Sequence, residues 1–354
     1  MKSCGNFDAL PFLTAHLPGV GGVLKREIGD FVVEEIPAYE PSGEGEHFFL
    51  WIEKRDVSGE ELLRHVARRL AISPGDVGSA GLKDRRAITR QWISVSARCE
   101  PAISQIATDR IEVLHTARHG NKLRTGHLRG NRFSIRVRDV SEQASDRASR
   151  IAEEIGRLGC PNYFGPQRFG HNEQTLQLGL DLIRGKASPG SIPFARRRFL
   201  LRMSLSAVQS ALFNSVLAAR LEQGRLHSVL CGDVMQVVAS GGQFVVDDQA
   251  AEQRRFDLRE IVLTGPIFGP SMRAAKEAAD ELEQAVLAEW DLSAADFARF
   301  PKLTSGTRRP LIAWPANLRI QTEDASLRID FELGSGCYAT SLLREFMKSP
   351  AEED

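Results

Sequence analysis

The sequence has few cysteines and no long apolar run, and both absences narrow the setting of the protein. Its five cysteines are scattered and include no Cys-x-x-Cys pair, which indicates a reducing compartment and no disulfide framework. No apolar run approaches the roughly 20 residues that cross a bilayer. The first residues, "MKSCGNFDALPFL", lack the apolar core of a signal peptide. We therefore expect a cytoplasmic protein with no membrane partner.

Nucleotide-binding and metal-binding motifs are missing as well. The glycine-rich stretches "LPGVGG" and "ASGGQ" lack the lysine and the strand–helix context of a phosphate-binding loop. His115, His119 and His127 lie close in sequence, but no carboxylate or thiol completes a ligand set, and the arginines around them oppose a cation. The sequence therefore predicts neither a metal nor a cofactor.

Charge is balanced overall but unevenly distributed. Lysine and arginine together number 46, as do aspartate and glutamate. Residues 81–138 nevertheless hold 13 basic and 4 acidic residues, whereas residues 245–299 hold 6 basic and 12 acidic ones. A face built for a polyanion and another kept away from it would produce this asymmetry, and we expect the polyanion to be a nucleic acid.

The hydrophobic pattern indicates strand-rich ends around a helical middle. Apolar residues recur at helical spacing after Ser58, which predicts a helix over about 58–72. Apolar or alternating stretches predict the strands of the first third, in "DFVVEEI", "HFFLWIEK", "VGSAGL", "RQWISVSA", "IEVLHTARHG" and "NRFSIRVRDV". After residue 143 helical patterns dominate, strongly so over 204–222, and alternation returns in "LRIQTEDASLRIDFEL". This order indicates a domain inserted into another.

The stretch "GLKDRRAITRQW", residues 81–92, places an aspartate among cations. Asp84 follows Lys83 and precedes two arginines, and opposite charges so close favour an ionised carboxylate. Such a carboxylate can be a base, a nucleophile, a metal ligand or half of an ion pair.

A second stretch, "NYFGPQRFG", combines turn residues with aromatic ones. Its glycines and Asn162 are typical of tight turns, which predicts that Gln167 and Arg168 are exposed with no obvious structural partner. A linker with buried aromatic rings would have the same composition, and so the stretch fits a binding loop and a linker equally.

Together these stretches resemble the TruD type of tRNA pseudouridine synthase. "GLKDRRAITRQW" is similar to the catalytic motif of that family, and "NYFGPQRFG" is similar to a second long motif. "DFVVEEI", "RGNRF" and "CYATSLLRE" look like its remaining motifs and follow in the family's order. One departure is Cys337, where the family pattern leads us to expect a small hydroxyl residue.

The resemblance implies the residues of a site. Asp84 stands in the position of the family's nucleophile, and Phe31, Asn131 and Tyr338 match its substrate-contacting positions. Related synthases place a tyrosine ring against the target base, and Phe133 is our candidate for that packing role. The basic residues that we expect along the RNA backbone are Lys83, Arg85, Arg86, Lys122, Arg124 and Arg168.

The resemblance also implies an α+β fold of two domains. A pseudouridine synthase catalytic domain with a mixed, largely antiparallel sheet would comprise residues 1–157 and 306–354. An inserted α/β TruD-specific domain would comprise residues 158–305. The implied reaction isomerises one uridine of tRNA, characteristically uridine-13, to pseudouridine without a cofactor or metal. The expected partner is tRNA, and no protein partner is implied.

The residues present fit this chemistry. The reaction breaks a C–N glycosidic bond, turns the uracil and forms a C–C bond, with no redox change. The base must leave its stack, and a carboxylate that forms a covalent intermediate at C1′ or C6 divides one hard step into easier ones. The cations around Asp84 would then divide between holding the carboxylate and binding phosphates.

Two other classes of function share some of these features. A metal-dependent nuclease or phosphoesterase using Asp84 would need further carboxylates nearby, and "GLKDRRAITRQW" offers none. A non-catalytic RNA-binding module would not require an aspartate in a cationic loop. Sensitivity to a chelator identifies the first, and full activity of an Asp84→Asn protein identifies the second.

Overall fold

The computed structural model describes residues 7–348. Its strands, in chain order, are β1 (Phe31–Pro37), β2 (His47–Arg55), β3 (Gly78–Ser79), β4 (Ile88–Ser96), β5 (Ile111–His119), β6 (Leu128–Arg138), β7 (Cys160–Pro161), β8 (Val234–Val237), β9 (Gln243–Val245), β10 (Ile261–Ile267), β11 (Thr307–Pro310), β12 (Ile312–Ala313), β13 (Ala316–Glu323) and β14 (Ser326–Gly334). Its helices are α1 (Gly59–Arg69), α2 (Ala144–Leu158), α3 (Gln174–Ile183), α4 (Phe194–Glu222), α5 (Gln249–Asp257), α6 (Glu277–Glu289) and α7 (Ala339–Met347). Within residues 7–348, no helix combines the length and apolar character needed to cross a membrane.

The described residues form two compact units. The sheet unit contains residues 17–157 and 314–339 and those from 346 onward. The helical unit contains the residues up to 16, residues 158–313 and residues 340–345.

An eight-stranded sheet forms the sheet unit. Its strand order is β13-β14-β6-β1-β4-β2-β5, with β3 paired to β4. The β1–β4 pair is parallel and the other pairs are antiparallel. The predicted α+β fold with a mixed, largely antiparallel sheet is therefore confirmed.

The two faces of this sheet follow from strand alternation. On β2, Phe48, Leu50 and Ile52 point to one face, which we call the inner face, and join a core cluster with Leu62 and Val66 of α1. Residues of opposite parity in the same strands point away from that cluster. The inner face is therefore apolar where α1 covers it.

One row of the inner face crosses five strands. The pairing register aligns Lys54 of β2 with Thr89 of β4, and Thr89 with Val33 of β1. The row continues through Phe133 of β6 to Phe331 of β14. A lysine thus occupies a position that strand alternation directs toward the protein interior.

Helix α1 begins where the sequence indicates and ends earlier than predicted. The Ser58 hydroxyl accepts a hydrogen bond from the Glu61 N–H at 3.2 Å, which caps the helix. The helix ends at Arg69, because Ala71 adopts a left-handed conformation with φ of 52°. The Ile72 N–H then bonds back to the Ala67 carbonyl at 2.9 Å and closes the last turn.

The helical unit is built around α4. Its antiparallel sheet has the order β11-β10-β8-β9, and β12 and β7 form a separate two-stranded sheet. Helix α3 packs closely against α4 because Gly179 has no side chain, and a Cβ there would lie 2.1 Å from the Ser204 carbonyl oxygen. The 29-residue α4 begins ten residues before the amphipathic segment 204–222.

The compact units differ from the predicted domain boundaries at both ends of the chain, because the described residues up to 16 also group with the helical unit. Residues 306–313 group with the helical unit, because β11 pairs with β10 and β12 pairs with β7. Residues 340–345 also group with it, and the Glu345 carboxylate accepts hydrogen bonds from the N–H and hydroxyl of Thr14 at 3.0 and 2.8 Å. These pairings are between segments far apart in sequence, which local patterns do not reveal.

Candidate active site

The loop between β3 and β4, residues 80–87, presents the side chain of Asp84 at the surface. Its main chain is anchored at both ends. The Gly126 N–H donates to the carbonyl of the first loop residue at 2.8 Å, and the Asp56 N–H donates to the carbonyl of the last at 3.2 Å. An exposed carboxylate on an anchored loop can meet a ligand without a large rearrangement.

A glycine lets the connection between β5 and β6 approach this loop. A Cβ at Gly78 would lie 2.3 Å from the Ser94 hydroxyl oxygen and 2.4 Å from the Leu123 carbonyl oxygen. The Ser94 hydroxyl also accepts a hydrogen bond from the Leu123 N–H at 2.9 Å. The glycine at the start of β3 is therefore required by close packing.

Lys54 contacts the main chain of Asp84 directly. Its side chain is fully buried, and its ammonium donates a hydrogen bond to the main-chain carbonyl of Asp84 at 2.6 Å. Burial lowers the pKa of Lys54 to about 8, and the nearby Asp84 charge partly opposes this shift. The sequence analysis missed Lys54. The available signal was its position at the end of the alternating series Phe48, Leu50, Ile52, Lys54 in β2.

Lys83 is used inside the protein and is not exposed for RNA. Its ammonium lies 3.2 Å from a Glu35 carboxylate oxygen, with side-chain exposures of 6% and 0%. Burial raises the pKa of Glu35, and the Lys83 charge opposes that rise. The other Glu35 oxygen accepts from the Trp92 N–H at 3.4 Å. The predicted RNA-backbone role of Lys83 therefore gains no support from the structure, because a buried ion pair with Glu35 holds its charge.

Arg85 and Arg86 flank Asp84 at the protein surface. Both side chains are exposed. Arg85 lies 3.7 Å from a carboxylate oxygen of Asp56, and 68% of its side chain remains accessible. A surface pair of this kind contributes little to stability, and so Arg85 can exchange it for a phosphate at small cost.

Besides Oε2 of Glu35, which is ion-paired with Lys83, three buried oxygen atoms on the inner face have no hydrogen-bond partner among residues 7–348. They are Oγ1 of Thr89, Oε1 of Gln91 and Oδ1 of Asn131. Thr89 and Gln91 are adjacent inner-face positions of β4, and Asn131 lies opposite Glu35 across the β1–β6 pair. The amide nitrogen of Gln91 is engaged, since it donates to the Gly81 carbonyl at 3.2 Å. Buried acceptors are normally paired, and so this cluster identifies a place where a ligand's donors would complete the bonding.

Phe31 and Phe133 lie side by side on the same sheet face. Their ring centroids are 6.5 Å apart in an edge-to-face arrangement, and Phe133 stacks on Phe331 at 5.0 Å. Both predicted substrate-contacting rings are buried. The ammonium of Lys25 lies 4.5 Å from the Phe31 ring centroid. Sequence reasoning did not single out Lys25 or Phe331.

Tyr338 lies in the turn between β14 and α7, with 36% of its surface exposed. The turn is closed by the Cys337 N–H, which donates to the Gly334 carbonyl at 3.2 Å. Gly334 pairs with Gly130, the residue before Asn131. The sheet register therefore places the start of this turn beside Asn131.

The chain is similar to known proteins over nearly its whole length. A family model described as tRNA pseudouridine synthase D (TruD) matches residues 9–189 and 196–346. The chain is 43% identical to tRNA pseudouridine synthase D of Anaeromyxobacter dehalogenans (strain 2CP-C) over 349 residues, which cover 97% of this chain and 98% of that protein. It is 39% identical to a tRNA pseudouridine synthase D of Thermus thermophilus over 348 residues, covering 97% and 94%. The crystal structure of a putative tRNA pseudouridine synthase D from Methanosarcina mazei matches with a TM-score of 0.79 and 26% identity, over 97% of each chain.

The chain belongs to the TruD family. The resemblance drawn from the sequence motifs is therefore confirmed, and both long motifs fall within the matched ranges.

The second TruD motif, "NYFGPQRFG", lies in the helical unit and is built into its core. Tyr163, Phe164 and Phe169 are buried. The main chain of Phe164 exchanges two hydrogen bonds with the side-chain amide of Asn214, at 2.8 and 3.0 Å. The aromatic residues thus follow the packing interpretation of this stretch.

Arg168 has structural partners that the sequence did not reveal. Its guanidinium donates to the hydroxyls of Ser206 and Ser210 on α4, at 2.7 and 3.3 Å, and only Gln167 beside it is exposed. The expectation that Arg168 is exposed with nothing to stabilise is wrong. These two hydrogen bonds join the motif to α4, and the RNA-backbone role of Arg168 stays a prediction.

The connection between β5 and β6 divides its basic residues between structure and surface. The Lys122 ammonium donates a hydrogen bond to the carbonyl of Gly75 at the surface, which holds the lysine side chain against the segment before β3. Arg124 is exposed in the turn that Gly126 ties to the Asp84 loop. Arg124 is therefore the better placed of the two for an RNA backbone.

The three histidines considered for a metal lie in an aromatic cluster. His119 stacks on Tyr39 at 5.0 Å, His127 is hydrogen-bonded to the Tyr39 hydroxyl at 2.8 Å, and His115 packs edge-on against Trp92 at 6.0 Å. Within the described part of the chain, no three histidine, cysteine, aspartate or glutamate side chains group in a way that could hold a metal ion.

Proposed function

We propose that this TruD-family protein isomerises a uridine of tRNA, expected at position 13, to pseudouridine with Asp84 as the nucleophile. The observation that carries the proposal is the exposed Asp84 carboxylate on an anchored loop. Lys54 donates a hydrogen bond to the main-chain carbonyl of Asp84 and so holds the loop from below the surface. Lys54 belongs to the same sheet face as the unpaired oxygens of Thr89, Gln91 and Asn131. A nucleophile and a set of buried acceptors on one support are what a flipped base requires.

The proposed reaction needs no external reactant. A carboxylate oxygen of Asp84 attacks C1′ and displaces N1 of the uracil, or it adds to C6 and the C1′–N1 bond then breaks. After the base turns, C5 bonds to C1′, the Asp84 bond breaks, C5 loses its proton and N1 gains one. The product is an isomer of the substrate, and covalent catalysis divides the conversion into smaller steps.

The unpaired oxygens suit the donors of a uridine. An unsatisfied buried acceptor costs about 1–3 kcal/mol, and this cost is removed when a ligand N–H or O–H reaches it. We assign the uracil N3–H to Oδ1 of Asn131 and ribose hydroxyls to Thr89 or Gln91. Phe31 and Phe133 provide the apolar wall, with Phe133 as our candidate to pack against the base, and Tyr338 would close the site from its turn.

The proposed grip on the tRNA backbone uses fewer residues than the sequence suggested. Arg85, Arg86 and Arg124 are exposed around the Asp84 loop. Lys83 is held in a buried ion pair, Lys122 donates to the Gly75 carbonyl and Arg168 donates to two serine hydroxyls. We further propose that residues 158–305 act as the TruD-specific domain and that the protein works in the cytoplasm on tRNA.

Mapping pseudouridine in defined tRNA transcripts tests the proposed function. We expect the wild-type protein to modify a transcript with uridine at position 13 and to leave a matched transcript with cytidine there unmodified. The tRNA is folded beforehand and the assay is repeated in excess EDTA, where we expect the activity to persist. Modification at other uridines alone would refute the site choice, and chain cleavage that EDTA stops would favour a metal-dependent nuclease.

We expect Arg124→Ala to weaken binding to many tRNAs alike. Neutralising each phosphate releases condensed counterions, so losing one contact should flatten the slope of log affinity against log salt by about 0.7–0.9. The measurement is a salt titration of tRNA binding. The control is Arg254→Ala, which removes an exposed arginine from the acidic stretch 245–299 and should leave the slope unchanged. Equal slopes for wild type and Arg124→Ala would exclude this contact.

A further inference from the structure

The first ten residues of α4 extend beyond the core that holds the rest of the helix. The buried residues of α4 begin at Ser204, and none of residues 194–203 is among them. At a rise of 1.5 Å per residue, this segment is about 15 Å long. A helix end without a buried face gains little from packing, and so its composition calls for another explanation.

One side of this segment carries two phenylalanine rings and two guanidinium groups. Phe194 is 86% exposed and Phe199 is 61% exposed, and the side chains of Arg198 and Arg202 are also exposed. Because successive helical residues are about 100° apart, the order around the helix is Phe194, Arg198, Arg202, Phe199 within about 140°. We call these four residues the α4 face.

The start of the helix is fixed independently of any ligand. Ile192, just before α4, is 4% exposed and anchors the chain. The Arg197 guanidinium donates two hydrogen bonds, each 3.2 Å, to the Ile192 carbonyl, and it lies 5.6 Å from the Phe194 ring centroid. The α4 face is therefore presented on an ordered helix, which reduces the entropy lost on binding.

The charge around this face is of one sign. Residues 182–221 contain seven lysines or arginines and no aspartate or glutamate. One of the seven, Arg220, forms a buried ion pair with Asp233, and the other six precede it. The net charge of the whole chain is zero and does not reveal this basic stretch, because residues 245–299 of the same unit are acidic. A forty-residue stretch without a carboxylate is electrostatically complementary to a polyanion.

We propose that the α4 face binds unpaired nucleotides of the tRNA substrate. The phenylalanine rings stack on exposed bases and the arginines between them contact the flanking phosphates, as in proteins that hold single-stranded nucleic acid. The identity of the RNA rests on the proposed function. A membrane-surface helix would separate its apolar side from its basic side, whereas here both arginines lie between the two rings.

Two pairs of substitutions test the proposal in the full-length protein. We expect Arg198→Ala with Arg202→Ala to flatten the salt slope of tRNA binding by about 1.4, the value for two phosphates of a single strand. We expect Phe194→Ser with Phe199→Ser to weaken tRNA binding by at least about tenfold, because stacking is lost. This second pair should not change the salt slope or the affinity for a fully paired RNA duplex. Replacing both phenylalanines with leucine removes stacking and keeps a strong helix former, which controls for helix loss.

Matched controls come from the acidic part of the helical unit and its neighbourhood. Leu258→Ser removes a side chain that is 71% exposed, and Arg225→Ala with Arg254→Ala removes two exposed arginines. These should bind tRNA as wild type does.

If both α4-face pairs also bind as wild type does, the inference is wrong even where the wild-type protein makes pseudouridine. If the wild-type protein binds anionic phospholipid vesicles and both pairs lose that binding but keep tRNA, the face belongs to a membrane. A wild-type protein that binds tRNA through this face but makes no pseudouridine would refute the proposed function alone.

Discussion

Replacing Asp84 with asparagine is expected to abolish pseudouridine formation while tRNA affinity stays within about tenfold of wild type. The amide keeps the shape of the side chain but cannot form the covalent intermediate, and so chemistry is lost rather than binding. Phosphate contacts supply most of the affinity for nucleic acid, and the exposed arginines beside Asp84 remain in place. The measurements are pseudouridine mapping under single-turnover conditions and a binding titration with the same tRNA.

Asp76→Asn is the matched control for this experiment. Asp76 is an exposed aspartate in the segment before β3 and lies outside the Asp84 loop. We expect it to retain wild-type turnover. Measurable turnover by Asp84→Asn would exclude Asp84 as an obligatory nucleophile, and an unchanged biological effect of that protein would favour a non-catalytic RNA-binding module.

Replacing Lys54 with methionine is expected to lower kcat by roughly tenfold to a hundredfold with little change in KM. A preorganised donor on a reacting oxygen is worth about a hundredfold to a thousandfold in kcat. Lys54 donates to the main-chain carbonyl of Asp84 at 2.6 Å and not to a reacting oxygen, and so a smaller effect is expected. It is therefore a positioning residue. Ile52→Met, a volume-conserving change at the neighbouring inner-face position of β2, is the control and should leave kcat near wild type.

The pH dependence of kcat distinguishes positioning by the Lys54 charge from a packing role. With a pKa of about 8, the ammonium loses its proton as the pH rises past 8. We expect a descending limb near pH 8 in the wild-type profile and its absence in Lys54→Met. A variant that retained both the wild-type kcat and this limb would remove Lys54 from the mechanism.

The same substitution should stabilise the protein at neutral pH. The Lys54 pKa is lowered from 10.5 to about 8 in the folded state. Between these values the unfolded chain binds more protons, and so the free energy of unfolding rises with pH there. Below pH 8 the cost of burying the ammonium is present in full, at roughly 3 kcal/mol. Lys54→Met removes it, and the stability gain measured by urea unfolding should reach up to this size at pH 7 and shrink toward pH 10.5.

The strand pattern of the sheet was largely readable from the sequence. Stretches such as "DFVVEEI" and "NRFSIRVRDV" alternate with period two and became β1 and β6. Alternation reveals which residues share a face but gives no partner strand. The parallel pairing of β1 with β4 and the division of the C-terminal segments between the two compact units therefore came from the structure.

The site was readable in part. The "GLKDRR" stretch led to the proposal of Asp84 as the nucleophile, because an aspartate among cations is a local chemical feature. It did not reveal the ion pair of Lys83, because the partner Glu35 lies 48 positions earlier in the chain. The contact with Lys54 was missed for the same reason, since adjacency in sequence says little about which charges meet across a sheet.

By itself the sequence determined the fold class and the family and led to Asp84 as the proposed nucleophile, because period-two alternation and long motifs are properties of neighbouring residues. Only the tertiary structure decided which lysines and arginines are engaged by groups of the protein itself. Burial places Lys54 under the Asp84 carbonyl and Lys83 against Glu35, while Arg124 and the α4 face remain at the surface. A charge acts on RNA only if it stays in water, and whether it does depends on strand register and helix packing between residues far apart in the chain.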